Sequence, residues 1–207
     1  MRVDLGLRKD IIENFPDFEY FNSISPQLLN FSLQNNLVGD QQEAFILYWV
    51  LKALQETHGV GIDIGCGQGS HIASIGINDY CGKQHKIYGG SYEKVHVASM
   101  AEDVDKIFNH NTFSWCIVSH ILEHVNDPII TFRKWCKLLH IGGFLILLMP
   151  DFTFEKSVVA WDPSHKTFWT PQDFENNCII PNQDLIKVEE FNTLNNNFSM
   201  NFVGRRI

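Results

Sequence analysis

The pattern of apolar and polar residues changes character near residue 40 of this 207-residue chain. Residues 1–40 are polar and turn-rich, with an aromatic cluster of Phe15, Phe18, Tyr20 and Phe21 broken by Pro16 and Asn22. That pattern predicts an N-terminal extension, either a lid or packing arm or a plain cover for a sheet edge. From Asp40, placed to cap a helix, the residues Ala44, Ile46, Leu47, Val50, Leu51 and Leu54 recur at near-helical spacing. From Gly59 onward short apolar runs alternate with polar or helical stretches, as a doubly wound parallel sheet requires. The predicted strands are 60–64, 72–77, 95–100, 115–119 and 144–149, with two more near 185–191 and 198–203. Between the fourth and fifth, residues 128–139 present a helical apolar face of Ile129, Ile130, Phe132, Trp135, Cys136 and Leu139, and Gly142-Gly143 is expected to stop that helix. A short helix is expected to open at Thr170-Pro171. The division that follows is an extension, 1–40, and one α/β domain, 41–207.

Composition narrows the class. Hydrophobic residues make up 44% of the chain and charged residues 19%, which suits one well-cored globular domain and disfavours disorder. The formal charge of −8 works against a duplex nucleic-acid partner, which is bound through many Lys and Arg contacts to phosphate. Cys66, Cys81, Cys116, Cys136 and Cys178 are odd in number, scattered and never paired as C-x-x-C, so a reducing, cytoplasmic setting is expected. The N-terminal residues lack a signal-peptide pattern, and no apolar run approaches the roughly 20 residues of a membrane span.

The chemistry concentrates where the first strand ends, at Asp63-Ile64-Gly65-Cys66-Gly67-Gln68-Gly69. Three residues without Cβ let the chain turn sharply and let a ligand approach its backbone, in the crevice outside the carboxyl ends of the strands. A dinucleotide loop would read G-x-G-x-x-G and hold a pyrophosphate on a helix N-terminus. Here Ser70 breaks that form, and a carboxylate two residues before the first glycine would repel a pyrophosphate but suit the ammonium of a methionyl group.

This segment resembles motif I of class I S-adenosylmethionine-dependent methyltransferases, and four further stretches agree in order. Ser119-His120-Ile121-Leu122-Glu123-His124-Val125 is similar to the family's turn after strand four. Asp127-Pro128 with the following helix and Gly142-Gly143 resembles the approach to strand five, and Met149-Pro150-Asp151 resembles its exit. Asp162-Pro163-Ser164-His165 with Phe168-Trp169-Thr170-Pro171 and Phe174 is similar to a stretch of a small bacterial subgroup. The resemblance implies a Rossmann-like, mostly parallel sheet of about seven strands with an antiparallel C-terminal strand, and S-adenosylmethionine as cofactor. It implies cofactor contacts from Asp63, Gly65, Cys66, Gly67 and Gly69. Asn78 or Asp79 would bind the ribose, Ala101 and Glu102 would lie by the adenine, and Ser119 and His120 would line the pocket. Family members usually place an acid at the end of strand two, where the equivalent here is Asn78 or Asp79, and the chain departs from the family in having Met100 for an acid near the adenine and Ser114 for an Asp opening strand four.

Methyl transfer is an in-line displacement, so alignment and exclusion of water do much of the work. A base is required when the acceptor loses a proton of high pKa, and His is the side chain matched to that near neutral pH. His124 and His165, both in loops after strands, are the candidate catalytic residues, with Asp151, Asp162 and Glu123 as candidate orienting partners. The expected acceptor is a small molecule or glycan, on which Trp161, Phe168 or Trp169 could stack; core packing is the expectation for Phe168. Nucleic acid and membrane are not expected partners, no metal is required, and the oligomeric state, a dimer included, stays open. Two rival readings are a non-catalytic cofactor-binding module of the same fold and a zinc metallopeptidase built on the H-x-x-E-H spacing of His120, Glu123 and His124. The second is disfavoured because that motif belongs inside a helix, whereas here Asn126-Asp127-Pro128 cuts it off.

Overall fold

The fold was taken from a computed structural model, which describes residues 41–57, 59–67, 74–78, 95–153, 163–193 and 199–207. The N-terminal extension, Asp40, and the proposed site residues Gly69, Asp79, Trp161 and Asp162 lie outside the described residues. In chain order the described elements are helix α1 (Gln41–Thr57), strands β1 (Gly61–Ile64), β2 (Ser74–Asn78), β3 (Val97–Ala98) and β4 (Phe113–Ser119), helix α2 (Pro128–Leu138), strand β5 (Leu139–Pro150), helix α3 (Pro171–Phe174), and strands β6 (Ile186–Thr193) and β7 (Ser199–Arg206). Short 3-10 helices follow β3 (Ala101–Lys106) and β4 (Leu122–His124).

The strands form one seven-stranded sheet in the order β3-β2-β1-β4-β5-β7-β6. The strands from β3 across to β5 pair in parallel, whereas β7 runs antiparallel between β5 and β6. The mostly parallel sheet with a reversed C-terminal strand is therefore as the sequence led one to expect. Because β1 and β4 are central neighbours, the loops leaving their carboxyl ends meet at one edge of the sheet.

Both faces of the centre are covered, and the alternation along β4 and β5 shows how. Trp115 and Ile117 with Phe144, Ile146 and Leu148 face Ile46, Trp49, Val50 and Ala53 of α1. Cys116 and Val118 with Leu145, Leu147 and Met149 face Phe132, Trp135 and Leu138 of α2 and Phe174. Asp127 opens α2 by accepting the Ile130 N–H at 3.1 Å, and Thr170 opens α3 by accepting the Asp173 N–H at 3.1 Å. Arg205 of β7 holds α1 to the sheet through Glu56 at 2.7 Å and reaches Glu189 of β6 at 3.0 Å.

Trp115 also fixes the register of three strands. Its indole lies across β1 at Gly61 and donates to the Ser74 hydroxyl of β2 at 2.9 Å. A Cβ at Gly61 would stand 1.8 Å from Trp115 Nε1, so no larger residue fits there without moving the ring.

Several boundaries differ from the pattern-based expectation. Strand two is described over Ser74–Asn78, and the third strand shrinks to Val97–Ala98, where among the described residues pairing comes from one side only. The Gly142-Gly143 pair does not stop α2, which ends at Leu138 and passes directly into β5. Gly142, with φ 87°, sits instead in an irregularity of β5, where the register against β4 slips between Phe113 and Trp115. The short helix at Pro171 continues through a π-turn, Glu175–Ile179.

The Trp115 crossing predicts that Gly61→Ala destabilises the protein by roughly 1–3 kcal/mol, the opposite of the usual small gain when Gly becomes Ala in a strand. Combining it with Trp115→Val should recover part of that loss, a coupling measurable by denaturant unfolding of the two single variants and the double variant.

Candidate functional site

The glycine turn begins where β1 emerges from the sheet. Asp63 is 1% exposed, one residue before that strand ends. Gly65 and Gly67 follow with φ of 76° and 56°, the left-handed region that side chains disfavour. The turn is tied to β2: the N–H groups of Gly65 and Cys66 both donate to the Ile77 carbonyl, at 2.8 and 3.0 Å, and Asn78 Nδ2 donates to the Gly67 carbonyl at 3.2 Å. Among the described residues a Cβ at Gly67 would meet no atom within 4 Å, whereas at Gly65 it would collide with Ile121. A rigid, Cβ-free turn over a buried carboxylate suits a ligand that carries an ammonium and touches backbone.

Ile121 links this turn to the exit of β4, where the remaining polar side chains gather. His120 takes φ 55°, which is uncommon for a residue with a Cβ and reverses the chain immediately after the strand. Its ring is held at both nitrogens, Nε2 at 2.9 Å from Gln42 Oε1 of α1 and Nδ1 at 3.4 Å from Glu123 Oε1. Glu123, in the next turn, is 1% exposed. Its carbonyl accepts the N–H groups of Lys166 and Thr167 at 2.8 and 3.1 Å, which docks the segment carrying His165 onto the β4 exit. His124 and His165 thereby stand ring to ring, with centroids 4.7 Å apart at an interplanar angle of 68°.

The structure thus brings Asp63, Gly65, Cys66, Gly67, Asn78, Ser119 and His120 to one edge of the sheet, with His124 and His165 beyond. Asn78 is half-buried at the end of β2, and its amide is directed at the glycine turn. Ala101 and Glu102 open the 3-10 turn after β3, tied down from α2: the Ala101 carbonyl accepts Trp135 Nε1 at 3.0 Å and the Glu102 carbonyl accepts Lys134 Nζ at 2.9 Å. The Glu102 carboxylate is also engaged, accepting Asn126 Nδ2 at 2.6 Å. Asp151 accepts the Thr153 N–H at 2.9 Å and the Thr153 hydroxyl at 2.6 Å. Phe168, expected in the core, is 40% exposed beside Phe152, while the neighbouring Trp169 is buried against Phe174. Sequence reasoning missed Gln42, which carried no signal beyond a polar residue in a helical pattern.

The comparisons with known proteins agree with this geometry. Residues 39–187 match the family described as a methyltransferase domain. The chain belongs to that family. It is an S-adenosylmethionine-dependent methyltransferase of class I. No curated protein sequence matches it. Among solved structures, an S-adenosylmethionine-dependent methyltransferase from Archaeoglobus fulgidus is similar with a TM-score of 0.56 at 15% identity, covering 86% of this chain and 99% of that one. One from Mesorhizobium loti gives 0.53 at 14% identity, covering 77% and 97%. The cyclase SpnF gives 0.54 at 13% identity, covering 80% and 82%.

The described cysteines, Cys66, Cys116, Cys136 and Cys178, are all buried. Burial, followed by the charge of Asp63, pushes the Cys66 thiol up to about 12, and burial pushes Cys178 up to about 12. Cys66 therefore serves the turn through its backbone, not as a nucleophile. A thiol whose folded pKa is raised adds stability that is full below its unfolded value of 9.0 and is lost as pH rises toward about 12, because the unfolded chain ionises first. Stability measured by denaturant should accordingly fall between those pH values, and Cys66→Ser and Cys178→Ser should each flatten that fall.

Proposed function

We propose that this enzyme methylates an oxygen of a small-molecule or glycan acceptor, with residues 41–207 as the catalytic domain and residues 1–40 as a lid or packing arm. The observation that carries the reading is the pairing of His124 and His165 at 4.7 Å, one strand exit away from the glycine turn. When bound, S-adenosylmethionine supplies a methyl on a sulfonium, and a C–O bond forms as the C–S bond breaks.

Asp63 holds the ammonium of the methionyl group, and the backbone of Gly65 to Gly67 lies against the rest of that moiety. Gly69 extends the cradle. Asn78 or Asp79 takes the ribose hydroxyls, Ala101 and Glu102 border the adenine, and Ser119 and His120 line the pocket between the two strand exits. Tied to Gln42 through Nε2, the His120 ring acts as a wall of that pocket. His124 and His165 assist loss of the acceptor's proton, and the exposed Phe168 offers a flat surface beside them. The formal charge of −8 favours a small acceptor over nucleic acid.

Calorimetry with S-adenosylhomocysteine tests the cofactor half. Gly67→Val puts a side chain above the turn and should abolish binding, while Asp63→Asn should weaken it at least tenfold; wild-type binding by Gly67→Val would remove the turn from the site. The acceptor half is tested by release of S-adenosylhomocysteine across a panel of hydroxylated small molecules and glycans. His124→Ala and His165→Ala should each lower kcat by about 10²–10⁴ with cofactor affinity unchanged. Full turnover in both variants would end the assignment of these residues.

A further inference from the structure

Glu123 is a carboxylate in a place that is costly for one. Its side chain is 2% exposed, neither oxygen has a hydrogen-bond partner among the described residues, and His120 Nδ1 stands 3.4 Å away on a ring about one-third exposed. A carboxylate buried without hydrogen bonds is strongly disfavoured unless a cation compensates it. The same carboxylate lines a cavity of about 10 Å³ together with His165, Thr167 and Trp169, and among the described residues the buried Thr167 hydroxyl and Trp169 N–H likewise have no hydrogen-bond partner. That volume is about the size of one water molecule or one ion.

Among the described residues, Glu123, His124 and His165 each bring one ligand atom within 4.8 Å of the other two. Ligand atoms around a tetrahedral zinc lie roughly 3.3 Å apart, so these side chains have to close by only on the order of 1 Å. His124 is prepared for such a role. Its Nδ1 lies 3.3 Å from the Ser164 carbonyl oxygen and 3.0 Å from the Ser164 hydroxyl. An Nδ1–H bonded to a carbonyl fixes the ring and the tautomer and leaves Nε2 as the ligand atom, the usual outer support of a metal-bound imidazole. The zinc reading of H-x-x-E-H alone would have used His120, but that ring is occupied by Gln42 and Glu123. His165 takes its place from 41 residues beyond His124 in the chain.

We propose that Glu123, His124 and His165 hold a divalent cation of zinc's type, leaving a fourth position for an oxygen of the acceptor. Two imidazoles and one carboxylate with an open position are the ligand set of a catalytic zinc. The cation neutralises Glu123 and polarises the acceptor hydroxyl, whose proton then passes to solvent. This rests on the reading that the acceptor lies beside His124 and His165, and specifies how that pair assists proton loss.

The test uses the full chain, stripped with a chelator and desalted, then titrated with Zn(II) by calorimetry and with Co(II) by visible absorption. One equivalent of each should bind, with the intense visible bands of four-coordinate Co(II). His165→Ala and His124→Ala, both at half-buried positions, should each weaken binding at least tenfold while thermal unfolding and S-adenosylhomocysteine binding stay at wild-type values. Glu123→Gln should also lose the cation. Absence of stoichiometric binding to protein that still binds S-adenosylhomocysteine would overturn the site, as would cation binding that survives both histidine substitutions. Zinc bound by these three residues with methylation rates equal in stripped and loaded enzyme would overturn only its part in activating the acceptor.

Discussion

The crossing of the Trp115 indole over Gly61 to the Ser74 hydroxyl is the contact on which the rest of the arrangement depends. A one-residue slip in a strand turns its side chains to the opposite face. The indole permits only one alignment of β2, β1 and β4, because it needs a position without a Cβ in the middle strand and a hydrogen-bond partner on the far one. With Gly61 opposite Trp115 and Ser74, β1 ends at Ile64 beside Val118. The glycine turn and the β4 exit then leave the sheet at the same level, and Ile121 can pack on Gly65.

From that alignment the polar side of the site follows. Leaving β4, the chain is reversed by His120 in a left-handed conformation, whose N–H is still anchored to the Leu148 carbonyl of β5 at 2.9 Å. The reversal carries Glu123 inward and His124 outward within a single 3-10 turn, and α1 contributes Gln42 to keep the His120 ring in place. Docking of residues 166 and 167 on the Glu123 carbonyl then adds His165. The buried carboxylate is thus a consequence of backbone geometry at the strand exit, and a counter-charge is the most direct means of stabilising it.

Likeness of fold to the cyclase SpnF shows that the scaffold does not by itself dictate the reaction. Family membership supports methyl transfer in general, and the proposed acceptor side lies beyond the β4 exit. The half-buried imidazole pair and the exposed Phe168 present a mixed polar and aromatic surface there.

By itself the sequence determined the alternation of strands and helices and the glycine turn, because each is a local property: a period, a cap, or a residue without a Cβ. It marked His120, Glu123 and His124 by spacing and His165 by resemblance, yet it could not pair them correctly. Helical spacing suggested His120 with His124 across Glu123. Only the tertiary structure decided otherwise, since the left-handed turn at His120 breaks that periodicity and the 163–169 segment reaches Glu123 through hydrogen bonds between residues more than 40 apart. The same holds for Gly61, an ordinary strand glycine until Trp115 is seen crossing it, and for Gly142, read as a helix stop but serving as a kink inside β5. Such contacts depend on register between strands distant in the chain, and no local pattern of residues encodes that register.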